Sequence, residues 1–143
     1  MMRIERAHSP YTPAQLFDLV ADVESYPKFL PWMISSRVTR RHNDTVWVEM
    51  EMGNRLLRRR FSSVGRLDRP HHRIDITSHD PMFECFAQSW TFKPATSGGS
   101  DIEYRVDFRF RSNLLQALIG GSFADRAPAM MQAFKRRARQ LYG

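Results

Sequence analysis

The side chains best suited to chemistry in this 143-residue chain are five histidines, one cysteine and a scatter of carboxylates. Their spacing assembles no familiar reactive grouping. His8, His42, His71, His72 and His79 include no HExxH pair and no three-ligand zinc spacing, and four of the five fall in or beside predicted turns, where ligands do not converge. Cys85 stands alone, so neither an internal disulfide nor a CxxC motif can form, and a lone thiol is expected to behave as a small buried hydrophobe. There is no GxSxG elbow and no Gly-rich phosphate loop after a strand; Gly120-Gly121 interrupts a helical pattern instead of opening one. A Ser/His/Asp triad assembles only in the fold, and nothing in the sequence points to one. Glu49, Glu51, Glu103 and Asp107 alternate with apolar neighbours. That pattern puts them on solvent faces as partners for arginines, not in the paired environments that split two pKa values for acid–base work. The expectation is a protein that is not an enzyme, with no catalytic residue, no metal and no cofactor.

The cations carry more information. The formal charge is +7, and 19 of the 22 basic residues are arginine. Such an excess suits an anionic partner such as RNA, a ribosome or an acidic lipid surface, and genomic base bias explains it equally well. No DNA partner is expected. In the run Arg58-Arg59-Arg60 a strand would put Arg59 on the face of Leu57 and Phe61. There it either snorkels to the rim or pairs with a carboxylate, or it anchors a ligand headgroup at a cavity mouth. Lys135, Arg136, Arg137 and Arg139 fall in the last turns of the final helix, where cations complement the helix dipole.

These residues need a scaffold, and the chain spells one out. With 42% hydrophobic and 26% charged residues it falls in the globular range, and its length matches one domain over 1–143. No stretch approaches the roughly 18 apolar residues of a membrane span, and MMRIERAHSP has no apolar signal core. The expected location is cytoplasmic, or peripheral to the inner membrane. Residues 2–8 alternate weakly up to the turn signal Ser9-Pro10 and predict a first strand. Thr12, Pro13 and Gln15 form a helix start ahead of Leu16, Phe17, Val20 and Val23. Two prolines in ESYPKFLPWM allow only a short turn between Pro27 and Leu30. From Ile34 the period changes to two. Val46, Val48, Met50 and Met52 share one face, and 102–111 alternates without error. Further strands fit 35–42, 56–67, 73–78 and 83–93, separated by turn residues, as in an antiparallel meander. The last thirty or so residues return to helical spacing, broken by Gly120-Gly121 and Pro128, which predicts a kinked or two-part helix. The resulting class is α+β, with helices on one face of the sheet.

Within this frame, Leu19-Val20-Ala21-Asp22-Val23-Glu24-Ser25 followed by Tyr26-Pro27-Lys28-Phe29-Leu30-Pro31-Trp32 resembles the coenzyme Q-binding family of START-like proteins. The likeness runs over essentially the whole chain. The resemblance implies a helix-grip fold: a curved antiparallel sheet of six or seven strands around a long C-terminal helix, enclosing a hydrophobic tunnel. It implies a chaperone for a polyprenyl quinone (ubiquinone) that supports respiration, with ubiquinone as bound ligand and transient contact with a membrane surface. It places ligand contacts at Tyr26, Phe29, Leu30 and Trp32 in the YPKFLPW segment and at Phe86, Trp90, Tyr104 and Phe108 in the sheet. In the helix it places them at Leu118, Phe123, Met131 and Phe134. The aromatics of YPKFLPW act either as a gate or as a plug for the core, since both roles use the same amphipathic rings. Similar bacterial members are named ribosome-association toxins or polyketide cyclase/dehydrase-like proteins. The resemblance therefore leaves an alternative activity, binding the large ribosomal subunit and blocking subunit joining.

Overall fold

Strict alternation along Ser100–Phe110 sets the frame. The computed structural model describes the backbone of residues 2–53, 56–117 and 121–143 and their side chains except 121–125. The alternating segment is strand β7, with Ile102, Tyr104, Val106, Phe108 and Phe110 buried and Arg105, Asp107 and Arg109 exposed, as a register of period two demands. The other strands are β1 (Met2–Ser9), β2 (Met33–His42), β3 (Thr45–Gly53), β4 (Arg58–Asp68), β5 (Arg73–Thr77) and β6 (Phe83–Pro94). They form one antiparallel sheet in the order β1-β7-β6-β5-β4-β3-β2. The meander β2–β7 is completed by β1, which returns to pair with β7 from Met2↔Asp107 to Ser9↔Ser100.

Two glycines permit the tight connections. Gly53 has φ +135° and a Cβ there would run into the Leu57 carbonyl; Gly99 has φ +69° and would meet the Ser9 carbonyl. Only glycine tolerates both conditions without strain.

Helix α1 (Pro13–Ala21) starts with the capping box read from the sequence. The Gln15 amide donates to Thr12 Oγ1 at 3.2 Å and the Thr12 amide donates to Gln15 Oε1 at 2.9 Å. Leu16, Phe17, Leu19 and Val20 are its buried face. Val23, expected on that helix, instead opens a 3₁₀ segment, Val23–Lys28. The turn expected between Pro27 and Leu30 thus starts four residues earlier, with Pro27 inside it, and closes through Phe29 and Leu30 amides donating to the Tyr26 carbonyl. In the C-terminal region α2 (Asn113–Leu115) runs on into π-helical Gln116 and Ala117, and the long helix α3 spans Gly121–Tyr142 with Pro128 inside it; the break expected at Gly120-Gly121 involves Gly120, which lies outside the described residues. Ala127, Met131, Ala133, Phe134 and Ala138 form the buried stripe of α3, and the Tyr142 hydroxyl donates to the Gln15 carbonyl at 2.9 Å, fastening α3 to α1.

One expectation fails outright. Cys85 is exposed, not buried. A register shift between Phe83 and Cys85 puts two outward residues, Glu84 and Cys85, between the buried Phe83 and Phe86, which is what a β-bulge does to alternation.

Candidate ligand-binding site

The YPKFLPW segment is held in place by its own chemistry before it touches any cavity. Tyr26 is buried, and its hydroxyl donates to the Val20 carbonyl of α1. Burial, with smaller contributions from Tyr104 and Asp22, pushes this phenol well above its ordinary range. The Glu24 carboxylate accepts from the Val38 amide of β2 at 3.1 Å, and the Gly53 amide donates to the Trp32 carbonyl at 2.9 Å. The segment therefore bridges α1, the edge strand and the β3–β4 hairpin.

Between this segment, the sheet and α3 lies an apolar cavity of about 60 Å³. Its floor is Ser63, Ile76, Phe86, Gln88, Tyr104 and Val106; one wall is Tyr26, Leu30, Trp32 and Met33, another Met50, Met52 and Phe61, and its roof is Arg126, Ala127 and Met130 of α3. Four methionines among these give walls that can change shape, because the thioether chain is unbranched and flexible. A second chamber of about 20 Å³ below α1 shares Met50, Ser63 and Ile76 with the first.

Five of the expected contact residues, Tyr26, Leu30, Trp32, Phe86 and Tyr104, line this cavity. Five others pack beside it. Phe134 sits edge-on to Tyr26 and Phe29 at centroid distances of 5.4 and 5.0 Å and 4.9 Å from Trp90. Phe29 is thus stacked on α3 and carries the Arg137 guanidinium 5.4 Å from its ring centroid. Trp90 and Phe134 border a void of only about 10 Å³, Phe108 is fully buried against Phe110, and Met131 is buried one residue past the lining Met130. Leu118 and the Phe123 side chain lie outside the described residues. The lining residues that sequence reasoning missed have a common signal. Met50 and Met52 lie on the inward face of β3, and Arg126, Ala127 and Met130 lie at i, i+1 and i+4 on one side of α3.

The polar face of the sheet carries the expected ion pairs. Arg37 meets Glu49 at 2.9 Å, Arg6 meets Glu103 at 3.2 Å, and Glu51 accepts from both Arg58 and Arg60. The Glu51 side chain is only 12% exposed between these two arginines. Among the described residues Arg59 meets no carboxylate: it is exposed and donates to the Arg58 carbonyl at 2.9 Å. Trp47 lies on the glutamate side of β3 with Arg40 stacked 4.6 Å above it. Among the described residues no three His, Cys, Asp or Glu side chains approach as metal ligands, and no helix is long and apolar enough to cross a membrane.

Comparison with known proteins agrees with this architecture. Residues 9–135 match the family model described as polyketide cyclase / dehydrase and lipid transport. The ribosome association toxin RatA of Rickettsia prowazekii is 32% identical over 92% of this chain and 92% of its own. A mitochondrial coenzyme Q-binding protein of Xenopus laevis is 30% identical over 99% of this chain and 60% of its own. The solution structure of an 18 kDa Caulobacter crescentus protein superposes with TM-score 0.79 at 32% identity, covering 100% of this chain and 99% of the other. An aromatase/cyclase from Streptomyces has the same fold, with TM-score 0.79 at 15% identity, covering 98% and 95%. With its seven-stranded curved sheet and long C-terminal helix, a fold shared with a START superfamily protein of Mycobacterium smegmatis, the chain belongs to the polyketide cyclase / dehydrase and lipid transport family.

Proposed function

We propose that the protein binds one polyprenyl quinone between α3 and the sheet and carries it without converting it. It would work on the cytoplasmic side and touch the inner membrane only while loading or unloading. The observation that carries this reading is the apolar, methionine-lined cavity under the YPKFLPW segment. At about 60 Å³ the cavity is smaller than the roughly 150 Å³ that accommodates benzene in an engineered core. Binding therefore requires Met33, Met50, Met52 and Met130 to swing aside, and it can recruit the chamber behind Met50 and Ile76. The relative named for coenzyme Q binding supports the choice of ligand. A carrier role is supported by the carboxylates: Glu49, Glu51 and Glu103 are engaged by arginines on the polar face and do not line the cavity. Lipid extraction from protein purified out of quinone-containing cells, followed by mass spectrometry, should yield quinone at a substantial fraction of one per chain. No quinone there, and no uptake from quinone-loaded vesicles, would remove the proposal.

A second reading, ribosome binding, is favoured by the RatA relatives and the charge of +7. Co-sedimentation with the large subunit should then be strong at low salt and fall steeply as salt rises, because phosphate contacts release counterions. Absence of pelleting at low salt would eliminate it.

A further inference from the structure

The cavity is mostly apolar, and two polar side chains of its floor, Tyr104 and Gln88, are neighbours. Tyr104 is buried, and burial raises its phenol above the ordinary range. Its ring is packed against Trp90 at a centroid distance of 4.4 Å, which fixes the direction of the ring. Tyr104 pairs across the sheet with Trp90, so Gln88, two residues along β6, is its diagonal neighbour on the same face, within reach for side chains of this length. Ser63, on β4 and on the other side of the Gly65–Ile76–Gln88–Val106 row from Tyr104, lines the far corner of the floor and does not belong to this pair. Among the described residues no side chain or backbone group hydrogen-bonds to the Tyr104 hydroxyl, the Gln88 amide or the Ser63 hydroxyl. The contrast with Tyr26 is direct, since its hydroxyl is committed to the Val20 carbonyl. Tyr104 and Gln88 border the cavity without being sealed inside the protein, so whatever displaces water from it has to supply their hydrogen-bond partner, because a polar group taken out of water without one is costly.

We propose that Tyr104 and Gln88 recognise a carbonyl oxygen on the ring of the bound lipid. The ligand would then bind head first, with its prenyl tail leaving past the half-buried rim of Trp32, Met52, Arg126 and Met130. The Tyr104 O–H and the Gln88 N–H both donate to the same oxygen, and Arg126, the charged group of the lining, stays at the rim beside Trp32 with its guanidinium 5.6 Å from the indole centroid. This assignment rests on the lipid-binding reading above and makes the site selective for ring ketones over hydrocarbons of the same shape.

The test compares two probes, decylubiquinone and decylbenzene, on the full-length protein and its Tyr104→Phe and Gln88→Leu variants. Each variant should weaken decylubiquinone roughly two- to tenfold, the worth of one hydrogen bond, and leave decylbenzene unchanged. The infrared carbonyl band of bound decylubiquinone should lie at lower frequency in wild type than in Tyr104→Phe. The melting temperature of Tyr104→Phe should be equal or higher, because no protein group loses a partner. Unchanged quinone affinity in both variants, or parallel loss of both probes, would overturn the head-first assignment while leaving lipid binding intact. A wild-type protein that binds neither probe would instead overturn the lipid-binding reading itself.

Discussion

Replacing Phe134 with alanine separates core from ligand site more sharply than any other single change. Phe134 is buried on α3 and holds Tyr26, Phe29 and Trp90 around it at 4.9–5.4 Å. Truncating a buried phenylalanine costs about 3–5 kcal/mol, rising with the void that remains. Here the void would open onto a seven-stranded sheet that cannot collapse inward, and three ring contacts worth about 0.5–1.5 kcal/mol each would be lost with it. The upper half of the range, about 4–5 kcal/mol, is expected, equivalent to about 10–20 °C in melting temperature for a chain of this size. Urea unfolding of ligand-free protein followed by far-ultraviolet circular dichroism measures the loss independently of Trp90 fluorescence. Quinone uptake per folded molecule, measured at low temperature, should change less than twofold, since Phe134 does not line the main cavity. A loss below about 1.5 kcal/mol, or a stable variant that no longer takes up quinone, would refute this placement of Phe134.

Met130→Ala should cost about 2 kcal/mol, the low end for a half-buried methionine. Because Met130 forms part of the roof, the change should also raise uptake of short-chain quinones in vesicle transfer assays. Gly53→Ala should destabilise the β3–β4 hairpin by about 1–3 kcal/mol, seen in chemical denaturation, because φ +135° and the Leu57 carbonyl both oppose a Cβ. Met131→Arg puts a charge at a position 2% exposed under α3 and should cost about 3–5 kcal/mol; an unchanged melting temperature would disprove the seating of this helix. Removing the Arg58–Glu51–Arg60 contacts with Glu51→Gln should cost under about 1 kcal/mol, and double-mutant cycles with Arg60→Ala should show coupling of that size.

The sequence made the sheet legible where one face is apolar and the other charged. Along β7 and β3 the alternation fixed both register and face, and the Thr12–Pro13–Gln15 signal fixed the start of α1. Choosing cavity residues needed information of another kind. On α3 a rotation of one residue decides between Met130, which lines the cavity, and Met131, which packs the core, and the hydrophobic stripe is too broad to register that difference. Phe29 and Trp32 look alike in YPKFLPW, yet only the folded 3₁₀ turn sends Phe29 to Phe134 and Trp32 to the rim. Gln88 and Ser63 escaped notice for the opposite reason. Polar residues in a strand read as solvent-facing, and only the register of β6 and β4 turns these two inward. For Cys85 the expectation rested on what lone thiols commonly do, and a bulge after Phe83 that suspends alternation for one step turns it outward instead.

The cavity of about 60 Å³ and its smaller neighbours of about 20 and 10 Å³ make this molecule compressible along one seam. Unfolding abolishes internal voids, so hydrostatic pressure favours the unfolded chain in proportion to them. A lipid that occupies the seam converts empty volume into packed volume. Loaded and empty protein would then differ in the pressure at which they unfold, a mechanical reading of occupancy that needs no label on the lipid.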